Sequence, residues 1–183
     1  MESKPDTWQR RSSKKVADCR VFTVREDDSV RASDGREGRF FVIESRDWVN
    51  VIAMTVDQRV VLIEQFRHGV EETILEIPGG MIDPGEDPLN AAKRELAEET
   101  GYTSGNWTFL GKSRPNPAIQ NNVIFHYLAA DSVQTLEKQF DEHESITTKL
   151  LSLDGVSKLI ATGEITHSLV IAAFYFLSVT SKK

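Results

Sequence analysis

The chain has 183 residues, a length that suggests one domain with room for an extension and a sizeable core. Its 39% hydrophobic and 27% charged residues describe a soluble globular protein, and the net charge of −6 argues against nucleic acid or an anionic membrane as partner, since both need basic patches. One cysteine, Cys19, rules out an intrachain disulfide framework and points to a reducing, cytoplasmic home; "MESKPDTWQRR" lacks the apolar core of a signal, and the most apolar run, Leu169 to Leu177, is far shorter than the ~20 residues of a membrane span.

In chain order, Met1 to Lys15 is polar and expected to fray, with Trp8 a candidate anchor. The runs "CRVFTVRED", "GRFFVIESR", "WVNVIAMTV" and "RVVLIEQFR" are rich in Val, Ile and Phe with partial alternation, which predicts strands. Asp34-Gly35 and "TVDQR" fall between them as hairpin turns, so the region up to about Arg67 reads as mainly antiparallel β. Cys19 falls in the first of these runs and reads as a small apolar strand residue. A loop and a helix follow: Asp87 suits an N-cap, Pro88 the first helical position and Gly101 the end, which predicts a helix over 88–100. "NWTFLGK", "NVIFHYLAADSV" and "ITTKLLSL" read as strands, and helices are expected over about 154–161 and 166–178. The last is apolar almost all round, which predicts burial on most sides. The fold class is α+β, a mixed sheet with helices packed on it.

The chemistry concentrates in "GGMIDPGEDPLNAAKRELAEETGY", Gly79 to Tyr102. At about 100° per residue, Leu89, Ala92 and Leu96 form a core-facing stripe, Glu99 lies at its edge and Glu95 about 40° further round. Arg94 and Glu98 can pair at the i, i+4 distance, and the wheel assigns Glu95 and Glu99 no cation from the helix. A partly buried carboxylate pair in that position either takes up a proton or binds a metal. Mg²⁺ fits, because it takes oxygen ligands and binds through one or two carboxylates plus substrate phosphates. Such an ion would also supply the positive charge that a chain of net charge −6 lacks for an anionic substrate. The alternative is a solvated acidic helix face.

Gly80, Glu86, Arg94, Glu95, Leu96, Glu98, Glu99 and Gly101 stand at the fixed positions of the Nudix box, Gly-x5-Glu-x7-Arg-Glu-U-x-Glu-Glu-x-Gly-U, with Tyr102 at the final apolar position as the one soft match. The chain thus resembles a Nudix hydrolase. The resemblance implies a mixed β-sheet sandwiched between helices and cleavage of a diphosphate linked to a nucleoside. It further implies Mg²⁺, with Mn²⁺ as a substitute, held by Glu95, Glu99 and the Gly79 carbonyl, with Glu98 acting directly or through water. Glu86 and Arg94 would brace the loop against the helix.

Outside the box, "VLIEQFRHGVEETILEIPGG" and the strand-rich start resemble the ADP-ribose and nucleoside-diphosphate-sugar pyrophosphatases. That likeness implies a β extension over 1–47 used in homodimerisation and a Nudix domain over 48–183. Arg67, Glu76 and Pro117 are the substrate-binding candidates. In "DEHES", the subgroup's downstream acidic loop implies Glu142 as the water-activating base and Glu144 as a metal-side acid. The loop "SRPNPAIQNN" lacks the acid that several ADP-ribose enzymes carry, so GDP-mannose and other nucleotide sugars stay open as substrates. The rival readings are a different Nudix substrate, such as coenzyme A or a nucleoside triphosphate, and a Nudix-like sensor that binds a nucleotide without turnover. His68, His126, His143 and His167 show no metal-ligand spacing and read as structural, and Trp8 and Trp48 as core or interface packing.

Overall fold

The computed structural model describes residues 5–140 and 145–180. It divides into two compact units, 1–46 with 114–122, and 47–113 with 123–183.

The first unit is an antiparallel meander of β1 (Trp8–Asp18), β2 (Phe22–Arg31) and β3 (Glu37–Ser45), in that spatial order. The fraying expected up to Lys15 is overturned from Trp8 on, because β1 pairs with β2 along almost its whole length. Every residue of β1 except Ala17 is exposed, so apolar burial does not hold it. Cross-strand polar pairs accompany the ladder instead: Lys14 to Glu26 at 3.1 Å, the Ser13 hydroxyl to Asp27 at 2.6 Å and the Ser12 hydroxyl to Asp28 at 3.0 Å. Trp8 is anchored edge-on against Phe40, with ring centres 5.0 Å apart. Cys19 is not in a strand; it lies exposed in the reversal between β1 and β2, where Arg20 takes a positive φ of 64°. The segment 114–122 joins this unit through the Ile43 N–H, which donates to the Ile119 carbonyl at 2.8 Å.

The second unit is built on β4 (Trp48–Thr55), β5 (Arg59–Arg67), β6 (Glu72–Glu76), β7 (Gly79–Met81), β8 (Tyr102–Thr103), β9 (Asn106–Ser113), β10 (Ile124–Gln134) and β11 (Ile146–Ser152). The path runs β11-β5-β4-β10-β8, with β6 on β5, β7 on β4 and β9 on β10. β4 and β10 are parallel and the other pairs antiparallel, which makes the sheet mixed. Alternation along β4 splits the core between the two faces. Val49, Val51 and Ala53 pack with Leu96 of α1 (Pro88–Thr100), whereas Ile52 packs with Val156 of α2 (Leu153–Thr162) and Val170 and Ala173 of α3 (Ser168–Thr180). The sheet is therefore sandwiched between helices. β6 and β7, unforeseen as strands, extend it at the approach to the glycines.

α1 spans the residues its caps predicted. α2 runs one residue beyond its expected range at each end, since Ser152 caps it and the Gly163 N–H bonds back to Ile160, whereas α3 both starts and ends two residues later than expected. The helix α3 is not buried all round within this chain. Leu169, Val170, Ala173 and Leu177 are buried, but Ile171, Tyr175 and Val179, one turn apart, are 37%, 66% and 40% exposed. No helix among the described residues is long and apolar enough to cross a membrane.

Candidate active site

The site grows from the loop and helix that connect β7 to β8. The Pro78 carbonyl accepts the Val51 N–H at 2.8 Å, which pins the start of the loop to β4. Gly80 then passes directly against the Glu95 side chain, where a Cβ would collide with the carboxylate. Asp83 and Glu86 close the turn on each other: the Asp83 N–H donates to the Glu86 carboxylate at 3.0 Å, and the Glu86 N–H to the Asp83 carbonyl at 2.9 Å. The Asp87 side chain accepts the N–H groups of Leu89 at 2.9 Å and Asn90 at 3.3 Å, which satisfies two of the donors that the first turn of α1 would otherwise leave open. Gly101 ends α1 at φ 73°, against the Leu136 carbonyl, so that both the backbone angle and the space exclude a side chain.

Arg94 is the hub. Its Nε and Nη2 grip Glu86 at 3.0 and 2.9 Å, and Nη2 also donates to the Met81 carbonyl at 3.1 Å. Its Nη1 reaches Glu95 at 2.8 Å and Glu98 at 3.1 Å. This corrects the helical-wheel assignment, which paired Arg94 with Glu98 alone and left Glu95 without a cation. Adjacent helical residues do not normally face each other. Here the arginine side chain turns toward Glu86 and its Nη1 reaches the Glu95 carboxylate. Arg94 holds the Glu86 carboxyl below its ordinary range, and Glu86 is the largest cause of the rise in the arginine's own affinity for its proton. Glu99 lies deeper, 4% exposed, and accepts the Gly79 N–H at 2.9 Å. That bond ties the glycine loop to the last turn of the helix.

The oxygen donors in this patch suit a hard divalent cation. Glu95, Glu98 and Glu99 lie on two turns of one helix, and Glu99 is bonded to the loop that carries the Gly79 carbonyl. Among the described residues, no three His, Cys, Asp or Glu side chains already form a closed cage. The donor set thus fits Mg²⁺ by chemistry and by element, and the present arrangement has Arg94 as the nearest positive charge to three of the carboxylates.

Arg67 and Glu76 meet each other. The Arg67 Nε and Nη2 donate to the two Glu76 oxygens at 2.7 and 2.8 Å. Pro117 lies in an exposed turn of the other unit, where the Asn116 carbonyl accepts the N–H groups of Ile119 at 3.1 Å and Gln120 at 2.8 Å. Glu142 and Glu144 lie outside the described residues. On the opposite sheet face His126 is fully buried, with Nε2 2.8 Å from the Ser113 hydroxyl and its ring 5.3 Å from Phe176. Burial pushes its pKa down to about 4.

Comparison with known proteins gives the same family as the box. The NUDIX domain matches residues 44–174. The chain is 29% identical over 178 residues to the ADP-ribose pyrophosphatase of Bacillus subtilis, spanning 97% of this chain and 93% of that protein. It is 32% identical over 159 residues to the methanol dehydrogenase activator of Bacillus methanolicus, spanning 86% and 85%. A solved structure described as an ADP compounds hydrolase superposes with a TM-score of 0.85 at 26% identity, covering 100% of this chain and 97% of that one. With the family matched over most of its length and every charged and glycine position of the box in place, the chain belongs to the Nudix family and is a Nudix pyrophosphohydrolase.

Proposed function

We propose that the chain hydrolyses the diphosphate bond of ADP-ribose and related nucleoside diphosphate sugars, giving a nucleoside monophosphate and a sugar phosphate. The observation that carries this reading is the bond from Glu99 to the Gly79 N–H together with the Arg94 clamp on Glu86, Glu95 and Glu98. These bonds tie the loop to the helix, which supports a fixed set of oxygen donors facing a diphosphate. The names of the relatives, ADP-ribose pyrophosphatase and ADP compounds hydrolase, support ADP-sugars as the first substrates to try.

Mg²⁺, or Mn²⁺ in its place, would be held by Glu95, Glu99 and the Gly79 carbonyl, with Glu98 bound directly or through water. When bound, it would neutralise phosphate charge and lower the pKa of the attacking water. The chain's own residues do the rest. Glu86 and Arg94 keep the carboxylates in place, and Arg67 binds a phosphate or ribose oxygen. Glu76 orients Arg67. Glu142 accepts the proton of the water as its oxygen bonds to phosphorus and the bridging P–O bond breaks, with Glu144 on the metal side. The 1–47 extension serves a homodimer of a cytoplasmic enzyme, a reading supported by the exposed stripe Ile171, Tyr175 and Val179 on α3.

One preparation tests these points. Phosphate-ester products should appear from ADP-ribose, ADP-glucose or GDP-mannose with Mg²⁺ and disappear with EDTA. Glu142→Gln should lower kcat by about 10²–10⁴ with KM little changed. Light scattering at micromolar concentration should give twice the chain mass. A chain that binds ADP-ribose and turns over no nucleotide sugar would be a sensor, and a fully active monomer would remove the dimer.

A further inference from the structure

At the end of β6, Glu76 is 2% exposed. A carboxylate this deep must be compensated. Arg67 supplies a side-on bidentate grip at 2.7 and 2.8 Å. A further group comes from 91 positions along the chain. His167 places Nδ1 3.5 Å from the Glu76 Oε2, on the oxygen that Arg67 Nη2 also contacts. Nδ1 is buried and has no hydrogen-bond partner.

The backbone of His167 is fixed independently of its ring. Its carbonyl accepts the N–H groups of Val170 and Ile171, both at 3.1 Å, in the first turn of α3. Leu169 and Val170 next to it are buried against the sheet. The ring is thus carried by a packed helix, and the carboxylate faces it. A bare Nδ1 lone pair beside a carboxylate oxygen would repel it, so the favoured tautomer carries its proton on Nδ1. Burial, opposed by Glu76 and assisted by Arg67, lowers the pKa of the ring, which favours the neutral form.

We infer that His167 is a positioning residue for substrate binding: its Nδ1–H steadies the Glu76 carboxylate, and Glu76 in turn fixes the plane of the Arg67 guanidinium toward the substrate. The inference rests on the proposed substrate role of Arg67. Without His167, the Glu76 oxygens can swing and Arg67 swings with them. The loss falls on binding that is equal in ground and transition states, so KM rises and kcat holds. A purely packing role for His167 makes the opposite forecast for two substitutions.

The test compares His167→Phe, which keeps ring volume and removes the donor, with His167→Asn, whose amide N–H can stand near Nδ1. With ADP-ribose as substrate, His167→Phe should raise KM about 10-fold with kcat within about 2-fold. His167→Asn should recover most of that KM. A packing residue gives the reverse order, with Phe harmless and Asn damaging, and that result overturns the inference. Arg67→Ala is measured alongside. If it raises KM while His167→Phe does not, the inference fails alone and the reading of Arg67 stands. If the unaltered chain turns over no nucleotide sugar, the functional reading fails, and nitrogen NMR of His167 decides the remaining point. The Nδ1–H tautomer, changed by Glu76→Gln, upholds the contact; an Nε2–H tautomer, or no response to Glu76→Gln, overturns it.

Discussion

Arg94 and Arg67 both bind carboxylates in the catalytic unit, but they do so over different distances in sequence. Arg94 gathers Glu86, Glu95 and Glu98, all within eight positions of itself, and a carbonyl from the same loop. Arg67 takes one carboxylate, Glu76, across the β5–β6 hairpin, and that carboxylate is backed by His167 from the start of α3. In the first centre Arg94 is shared among Glu86, Glu95 and Glu98, a grouping of oxygen donors that suits a hard cation. In the second, Arg67 holds Glu76 side-on through two parallel hydrogen bonds, a contact that fixes orientation. The contrast separates a centre for charge from a centre for orientation.

Substitutions can break or sharpen that contrast. The largest effect is expected from Glu99→Gln. The glutamine oxygen can still accept the Gly79 N–H, so loop and helix stay tied, while a charged oxygen donor is lost. Turnover should fall by more than about 100-fold, beyond the usual cost of losing a group behind a metal ligand. The thermal midpoint should move little. Near-normal activity at limiting Mg²⁺ would take Glu99 out of the metal set.

A middle-sized effect is expected from Arg94→Lys. A lysine is a point charge and cannot reach Glu86, Glu95, Glu98 and the Met81 carbonyl together. Urea denaturation should show a loss of about 1–3 kcal/mol, the scale of hydrogen bonds to charged groups in a half-buried site. Arg67→Lys, by contrast, should act chiefly on KM. Two arginines that respond alike in stability and in KM would erase the difference between the centres.

A control that touches neither arginine leaves activity at neutral pH unchanged and reads only acid stability. His126, buried against Phe176, has its pKa pushed down to about 4. In the unfolded chain it takes a proton near pH 6.5. The unfolded state therefore binds more protons between those values, and stability should fall as pH drops from about 6.5 toward 4, by up to about 1.4 kcal/mol per pH unit. Above pH 6.5 this contribution is constant. His126→Gln should flatten that slope in urea titrations. An unchanged slope would place the acid sensitivity elsewhere, His167 included.

The box could be read from the sequence because the contacts that define its helix are local. Asp87 caps its own helix, Gly101 ends it, and Glu86, Arg94 and Glu98 sit at separations that a loop and two helical turns close automatically. The strands flanking it were visible for a similar reason, since β-branched and aromatic runs predict them one at a time. Periodicity failed where pairing did the work. β1 is exposed along its length and persists by ladder bonds and by charges on β2, so its sequence carries no apolar signal. β6 and β7 are short and irregular in composition, and only their partners β5 and β4 make them strands.

By itself, then, the sequence determined the box helix and its caps, the alternation that splits the core across β4, and the carboxylate positions of the Nudix box. Tertiary structure decided which of those carboxylates share Arg94, because the path of a long side chain is set by the loop it meets. It also decided that Arg67 faces Glu76 and that His167 stands behind it. Residues 91 positions apart have no period or spacing that connects them; only the packing of α3 on the sheet brings the ring to the carboxylate.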